Sequence, residues 1–151
     1  MEPTQSLQQT TELTVSQSWA LLRGSVVARV AVIRGERPEI FPVNFVVDHG
    51  SVVFRTGSGT LFASTDAQPV ALEVDGYDVA DATAWSVVVH GTGREMVGVD
   101  ATLDAMELPI FPWHDAPKPR FVRIEPMAVT GRRFTVSGGH RVPAPARAEL
   151  E

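Results

Sequence analysis

Gly57, Ser58, Gly59 and Thr60 form the stretch of this 151-residue chain best suited to hold a charged ligand. Small residues expose backbone N–H groups, two hydroxyls accompany them, and a short helical segment follows at residues 61–64. Amides and hydroxyls at such a turn make an anion cradle. The turn is not a Walker loop, because no Gly-Lys-Ser/Thr follows, and not a dinucleotide fingerprint, because Phe62 stands where a third glycine belongs. The plain alternative is a glycine turn whose helix is capped by Thr60. Arg55, just before it, also reads two ways: as the solvent face of a strand, or as a guanidinium placed for bidentate phosphate binding. Trp113 lies beside His114 in a proline-rich stretch, where an indole can cover a planar ligand.

Other chemistries find little support. The four histidines, His49, His90, His114 and His140, show no ligand spacing. There is no cysteine, so thiolate metal sites and disulfides are excluded, and no metal site is nominated. No Gly-x-Ser-x-Gly elbow and no Ser/His/Asp set can be named, so no catalytic residue is assigned. A cofactor bringing its own reactivity fits better, since the protein then supplies binding groups and a shaped cleft.

The elements that position these residues begin with a hairpin. Two apolar runs, 39–47 and 51–56, flank Asp48-His49-Gly50, where the glycine supplies the positive φ of a tight reversal. Pro42 inside the first run cannot donate a ladder hydrogen bond, so it marks an edge, a bulge or a ligand-facing break. Upstream, Thr14 and Gln17 form a capping box for a short helix, with Val15, Trp19 and Leu22 on one face and Gly24 at its end. Residues 25–33 are a β-branched run, and 34–38 a polar turn. Residues 69–75 alternate as a strand, 76–83 are a loop, and 84–96 are a long strand with a glycine bulge at Gly91 or Gly93. Residues 100–107 suggest a helix, and 108–119 a loop with four prolines. Strands follow at 120–126 and 129–136. With hairpin-length connections and no long crossover helix, the pattern favours an antiparallel barrel over a parallel sheet.

The length fits one domain, and a chain of this size can bury roughly 70% of its unfolded surface. The polar segment 1–12 and the Pro/Ala/Arg/Glu-rich segment 138–151 read as disordered tails around a domain at 13–137. Net charge is −5, with 13 basic residues spread along the chain, which argues against a nucleic-acid phosphate footprint. No apolar run reaches membrane-spanning length and no signal region opens the chain. A cytoplasmic protein is the simplest expectation.

Phe41-Pro42-Val43-Asn44-Phe45, Arg55-Thr56-Gly57-Ser58-Gly59-Thr60, Leu72-Glu73-Val74-Asp75, Trp85-Ser86 and Phe121-Val122-Arg123 occur in this order and spacing. Together they resemble the pyridoxamine 5′-phosphate oxidase-like split-barrel family, in its actinobacterial flavin/deazaflavin branch, over roughly residues 13–134. The resemblance implies a six-stranded antiparallel split β-barrel, paired as a homodimer with two cofactor clefts at the interface. It implies that Pro42, Val43, Asn44 and Phe45 run along a flavin ring. Arg55, Thr56, Ser58, Gly59, Thr60 and Leu61 would hold the ribityl phosphate, and Trp85, Ser86 and Trp113 of the other subunit would complete the pocket. The implied cofactor is FMN, or alternatively a deazaflavin, used for hydride transfer to a small organic substrate. Relatives carry a lysine where this chain has Leu61, and losing that contact costs about 1.5–3 kcal/mol. The alternative reading is therefore a non-enzymatic protein binding a flavin, haem or other planar ligand on the same dimeric barrel, and a weaker third reading is a structural dimer without ligand.

Overall fold

The computed structural model of the chain describes residues 10–57, 59–97, 110 and 120–136. The helix expected over 100–107, the tail expected over 138–151, and Ser58, Trp113 and His114 lie outside the described residues.

A Thr14–Gln17 capping box starts α1 (Val15–Arg23): the Thr14 hydroxyl accepts from the Gln17 amide and the Gln17 side chain accepts from the Thr14 amide. Two groups left open at the helix start are thereby satisfied at once. The buried stripe differs from the expected one. Leu22 is buried and Trp19 packs against the core as expected, but Val15 is 59% exposed and Ser18 is buried in its place. A Cβ on Gly131 would come 2.4 Å from the Ser18 hydroxyl, so α1 packs on the sheet where two small residues meet.

The strands are β1 (Thr10–Leu13), β2 (Val27–Arg34), β3 (Arg37–Asp48), β4 (Ser51–Thr56), β5 (Pro69–Asp78), β6 (Thr83–Glu95) and β7 (Arg120–Thr135), with α2 (Thr60–Thr65) between β4 and β5. All ladders between them are antiparallel, in the order β1-β7-β4-β3-β2-β5-β6, and a further β6–β7 ladder returns to β7. Six strands thus close a barrel, and β1 joins from outside by pairing with β7. The expected split-barrel architecture is the observed one. β1 begins at Thr10, inside the segment read as a tail, because backbone pairing with residues 131–134 orders a sequence with little apolar content.

Local chemistry sets the turns. His49 and Gly50 both adopt positive φ (48° and 69°), the two-residue geometry that matches strand twist. The loop expected over 76–83 is shorter: β5 continues to Asp78 and β6 starts at Thr83. Gly76 permits this, because the Trp85 ring lies where a Cβ at 76 would come within 2.6 Å. The two final strands are one. The ladder steps from His90–Ala128 to Gly91–Pro126, leaving Met127 as the extra residue of a bulge. Pro126 sits there without breaking β7.

Inward positions alternate along the strands. Val30, Phe54, Leu72, Val87 and Val122 are fully buried in the barrel. A smaller cluster of Val53, Phe121 and Ile110, with Val46 and Met96, covers the outside of β3, β4 and β7. Next to it, Arg123 from β7 reaches the β3–β4 turn. Its guanidinium donates to the Asp48 carboxylate at 2.9 Å, to the Asp48 carbonyl at 3.2 Å, and to the Ser51 hydroxyl.

Partial burial pushes the Asp48 carboxyl up, but hydrogen bonds from Arg123 and His49 outweigh it and hold the group below its ordinary 3.8. A depressed carboxylate stabilises the fold fully above its unfolded value, and that contribution disappears as pH falls through the folded value. Asp48→Asn is expected to lower the denaturation midpoint at neutral pH and to flatten the loss of stability below about pH 4. Urea unfolding across pH 2.5–7 measures both.

Candidate functional site

The β3–β4 ladder runs only from Asp48–Ser51 to Phe45–Phe54. Beyond that pair the strands part. β3 stays with β2 from Asn44–Val27 to Arg37–Arg34, and β4 stays with β7 through Thr56–Arg120. This parting of the ladder, with Phe41 to Asn44 on one side and Arg55 and Thr56 on the other, marks the candidate groove. Pro42 lies on the wall where β3 has lost its β4 partner. Lacking an N–H, it leaves no donor orphaned there, which is the edge position expected for a strand proline.

Side chains on this wall divide by alternation. Val43 and Phe45 are 4% and 3% exposed and point into the core, so what they can offer a ligand is backbone. Pro42 is exposed on the outer face. Asn44 is 8% exposed, and its amide donates to the Val26 carbonyl at 3.4 Å.

Across the groove, the Arg55 guanidinium stacks over Phe121 at 4.9 Å, and Arg120 stacks over Phe62 of α2 at 4.3 Å. Arg120 is held by Glu95 at 2.6 Å. The two guanidinium groups lie on opposite faces of the β4–β7 ladder, Arg55 with the outer cluster and Arg120 over Phe62 on the core side. Thr56 between them is buried. The cap of α2 is Gly59, without a side-chain bond, and Thr60 is the first helical residue. The reading of Thr60 as cap is thereby corrected: its hydroxyl has no such task. Leu61 packs half-buried against the main core, which suits a leucine at this position.

The C-terminal end of α2 is pinned to β6. Gly93 and Gln68 exchange contacts there: the Gly93 amide donates to the Gln68 carbonyl at 3.0 Å, and the Ala67 amide donates to the Gly93 carbonyl at 2.8 Å. The Glu95 amide donates to the Asp66 carboxylate at 2.9 Å. A Cβ at 93 would come 2.2 Å from the Thr65 carbonyl oxygen, so glycine is required for α2 to lie this close.

Trp85 and Ser86 stand elsewhere. β2 and β5 separate β6 from β3 on one side of the barrel, and β7 and β4 on the other. Trp85 faces inward over Gly76, and Ser86 pairs with Asp75. One subunit does not bring them to the Arg55 groove. On the outer face, Arg29 bonds both Glu73 and Asp75 at 2.9 Å, beside a shallow cleft of about 250 Å³ that includes Pro42. Burial, and next the hydrogen bond with Asp75, raise the Glu73 carboxyl. Among the described residues, no group of three or more His, Cys, Asp or Glu could hold a metal ion, and no helix is long and apolar enough to cross a membrane.

Residues 14–133 match the family model of pyridoxamine 5′-phosphate oxidase. The chain belongs to the pyridoxamine 5′-phosphate oxidase family. An uncharacterised Mycobacterium tuberculosis protein, Rv0080, is 35% identical over 136 residues, which span 86% of this chain and 89% of that one. The structure of an FAD binding protein from Mycobacterium smegmatis is similar at a TM-score of 0.71 and 33% identity, over 82% of this chain and 99% of that one. A conserved protein of unknown function from Corynebacterium diphtheriae is similar at 0.71 and 34%, over 83% and 98%.

Arg120, beside the candidate groove, is not marked out by any sequence motif. Alternation alone placed it opposite Phe121, and nothing local announced its stacking on Phe62, some sixty positions away. Gly93→Ala is expected to cost about 1–3 kcal/mol by overpacking against the Thr65 backbone, with Arg55 and its strand left intact. Chemical denaturation provides the measurement.

Proposed function

We propose that this member of the pyridoxamine 5′-phosphate oxidase family is a flavin-dependent oxidoreductase acting on a small organic substrate. The observation that carries the reading is the groove where β3 and β4 part, flanked by Arg55 and Arg120 and ending in the turn at residues 57–60. The 33% identity to an FAD binding protein supports a flavin as the ligand. A groove with one extended backbone wall, one cationic end and apolar flanks fits a planar ring carrying a phosphate. When bound, the flavin supplies the two-electron chemistry, received or given as hydride. FMN is the flavin proposed first, and a deazaflavin second.

The chain's residues then have separable tasks. Pro42 and Asn44, with the backbone of Val43 and Phe45, would align the ring edge. Arg55 and Thr56, with Ser58, Gly59 and Thr60, would hold the phosphate, and Leu61 would contribute packing. Trp85, Ser86 and Trp113 would come from a second subunit, since one barrel leaves Trp85 and Ser86 two strands away. The outer face of β2 and β3 supports such a homodimer. Ile33 and Ile40 are 58% and 67% exposed there, with Ala31 opposite Ile40 and Pro42 two residues further along β3. A cytoplasmic placement is proposed with it.

Leu61 favours a second reading, in which the barrel binds a flavin, haem or other planar ligand without turnover. A lysine lost from the phosphate end weakens binding by roughly ten- to a hundredfold.

Titration with FMN, FAD and a deazaflavin, followed by visible absorbance, tests the assignment. Binding at micromolar concentration or tighter is expected for at least one, and absence of binding by all three would refute the flavin reading. Arg55→Gln is expected to weaken the bound flavin about tenfold or more through the lost charge-assisted contact. Leu61→Lys is expected to strengthen it if the phosphate lies at this turn. Sedimentation of Ile40→Arg against the parent chain measures the dimer: a monomer is expected from the variant alone.

A further inference from the structure

Outside the groove, on the opposite face of α2, lies a cleft of about 300 Å³ between that helix and the tip of the β2–β3 hairpin. Arg34, Thr60, Ser64 and Gln68 line it, with Ile33 on the hairpin side. Thr60 and Ser64 stand four residues apart, on one helical face. Gly35 turns the hairpin tip at φ 63°, which brings Arg34 over that face.

Ser64 is the informative residue. It is only 8% exposed, yet its hydroxyl makes no hydrogen bond among the described residues. Its neighbour Thr65, equally short and fully buried, returns its hydroxyl to the Phe62 carbonyl at 3.0 Å. No enclosed side-chain oxygen among the described residues lacks a partner, so the Ser64 hydroxyl must open into the cleft. A serine inside a helix that bonds no carbonyl gains nothing in propensity, and its hydroxyl is left open at the cleft wall, where an incoming acceptor can reach it. Arg34 faces it with a single ion pair, to Glu39 at 3.9 Å, both side chains being partly or largely exposed. Such pairs yield easily to a stronger anion.

We propose that this cleft is a second anion subsite, separate from the phosphate end of the groove and built to take a phosphoryl group. Arg34 supplies the charge, and the Ser64 and Thr60 hydroxyls with the Gln68 amide supply directional bonds. Two sources share this chemistry: the outer phosphate of a dinucleotide flavin, or a phosphate carried by the substrate. The first source rests on the flavin reading above, because Thr60 borders both the turn and the cleft; the subsite itself does not.

Calorimetric titration of the full chain with FAD, FMN and inorganic phosphate, repeated on Arg34→Gln and Ser64→Ala, tests the proposal. For the dinucleotide source, FAD binds about tenfold or more tighter than FMN, and either substitution removes most of that difference while FMN affinity stays. For the substrate source, FAD and FMN bind alike, and inorganic phosphate binds the flavin-loaded chain with an affinity that both substitutions lower. If the flavins bind alike and phosphate binding is absent or indifferent to both substitutions, the subsite is overturned and the flavin reading stands. If neither flavin binds, the flavin reading falls. The phosphate titration then decides the subsite by the same criterion. Ser64→Ala removes one oxygen from a packed position, and unchanged circular dichroism confirms that its fold is intact.

Discussion

β7 is the strand on which this protein depends. Its first residues pair with β4, its last with β1, and nearly its whole length with β6. Without the β6–β7 ladder the sheet would be an open ribbon with two exposed edges, prone to pairing with other chains. Closing it requires a sixteen-residue strand to bend, and the bend is made at Pro126 and Met127. The proline cannot donate to a ladder, and opposite it Gly91 allows an approach in which a Cβ would lie 2.1 Å from the Glu125 carbonyl oxygen. Closure and bulge are one solution to one steric problem.

That closure also makes the groove. β4 is drawn toward β7 as far as Thr56, while β3 is held by β2 down to Arg37. The two strands of the central hairpin therefore cannot stay paired along their full length, and they separate after Phe45–Phe54. The Asp48–Arg123 bonds fix the closed end of this hairpin to β7, and the Gly93 contact fixes α2 beyond its open end. The groove between them is a consequence of barrel geometry and needs no special loop.

Arginine is used in two ways around it. Arg123 is spent on structure, tying a turn to a neighbouring strand. Arg55 and Arg120 sit over aromatic rings, which hold their guanidinium groups in place, and Glu95 holds Arg120 as well. Leu61 belongs to the same local balance. Its half-buried place against the core suits an apolar side chain, and a lysine there would have to carry its charge out past the start of α2.

Much of the architecture was legible from local chemistry. The Thr14–Gln17 capping box, the Asp48-His49-Gly50 reversal and the edge role of Pro42 each rest on constraints spanning a few residues, which a sequence states directly, whereas the bulge expected at Gly91 or Gly93 of β6 falls opposite Gly91, at Met127 of β7. Residues 42–45 and 55–60 were also visible as a candidate site, because proline, glycine and hydroxyl patterns are local. What only the tertiary structure decided involves distant partners. Val15 became exposed because Gly131 selects Ser18 as the packing residue. Residues 120–135 became one strand because Gly91 accommodates Pro126. Thr10–Leu13 became ordered because β7 offers an edge. Arg120 met Phe62, and Arg34 came to share a cleft with Ser64, only once the barrel had closed. Sequence periodicity tells which face a side chain takes, but the identity of what it faces is set by registers and crossings that no local pattern encodes.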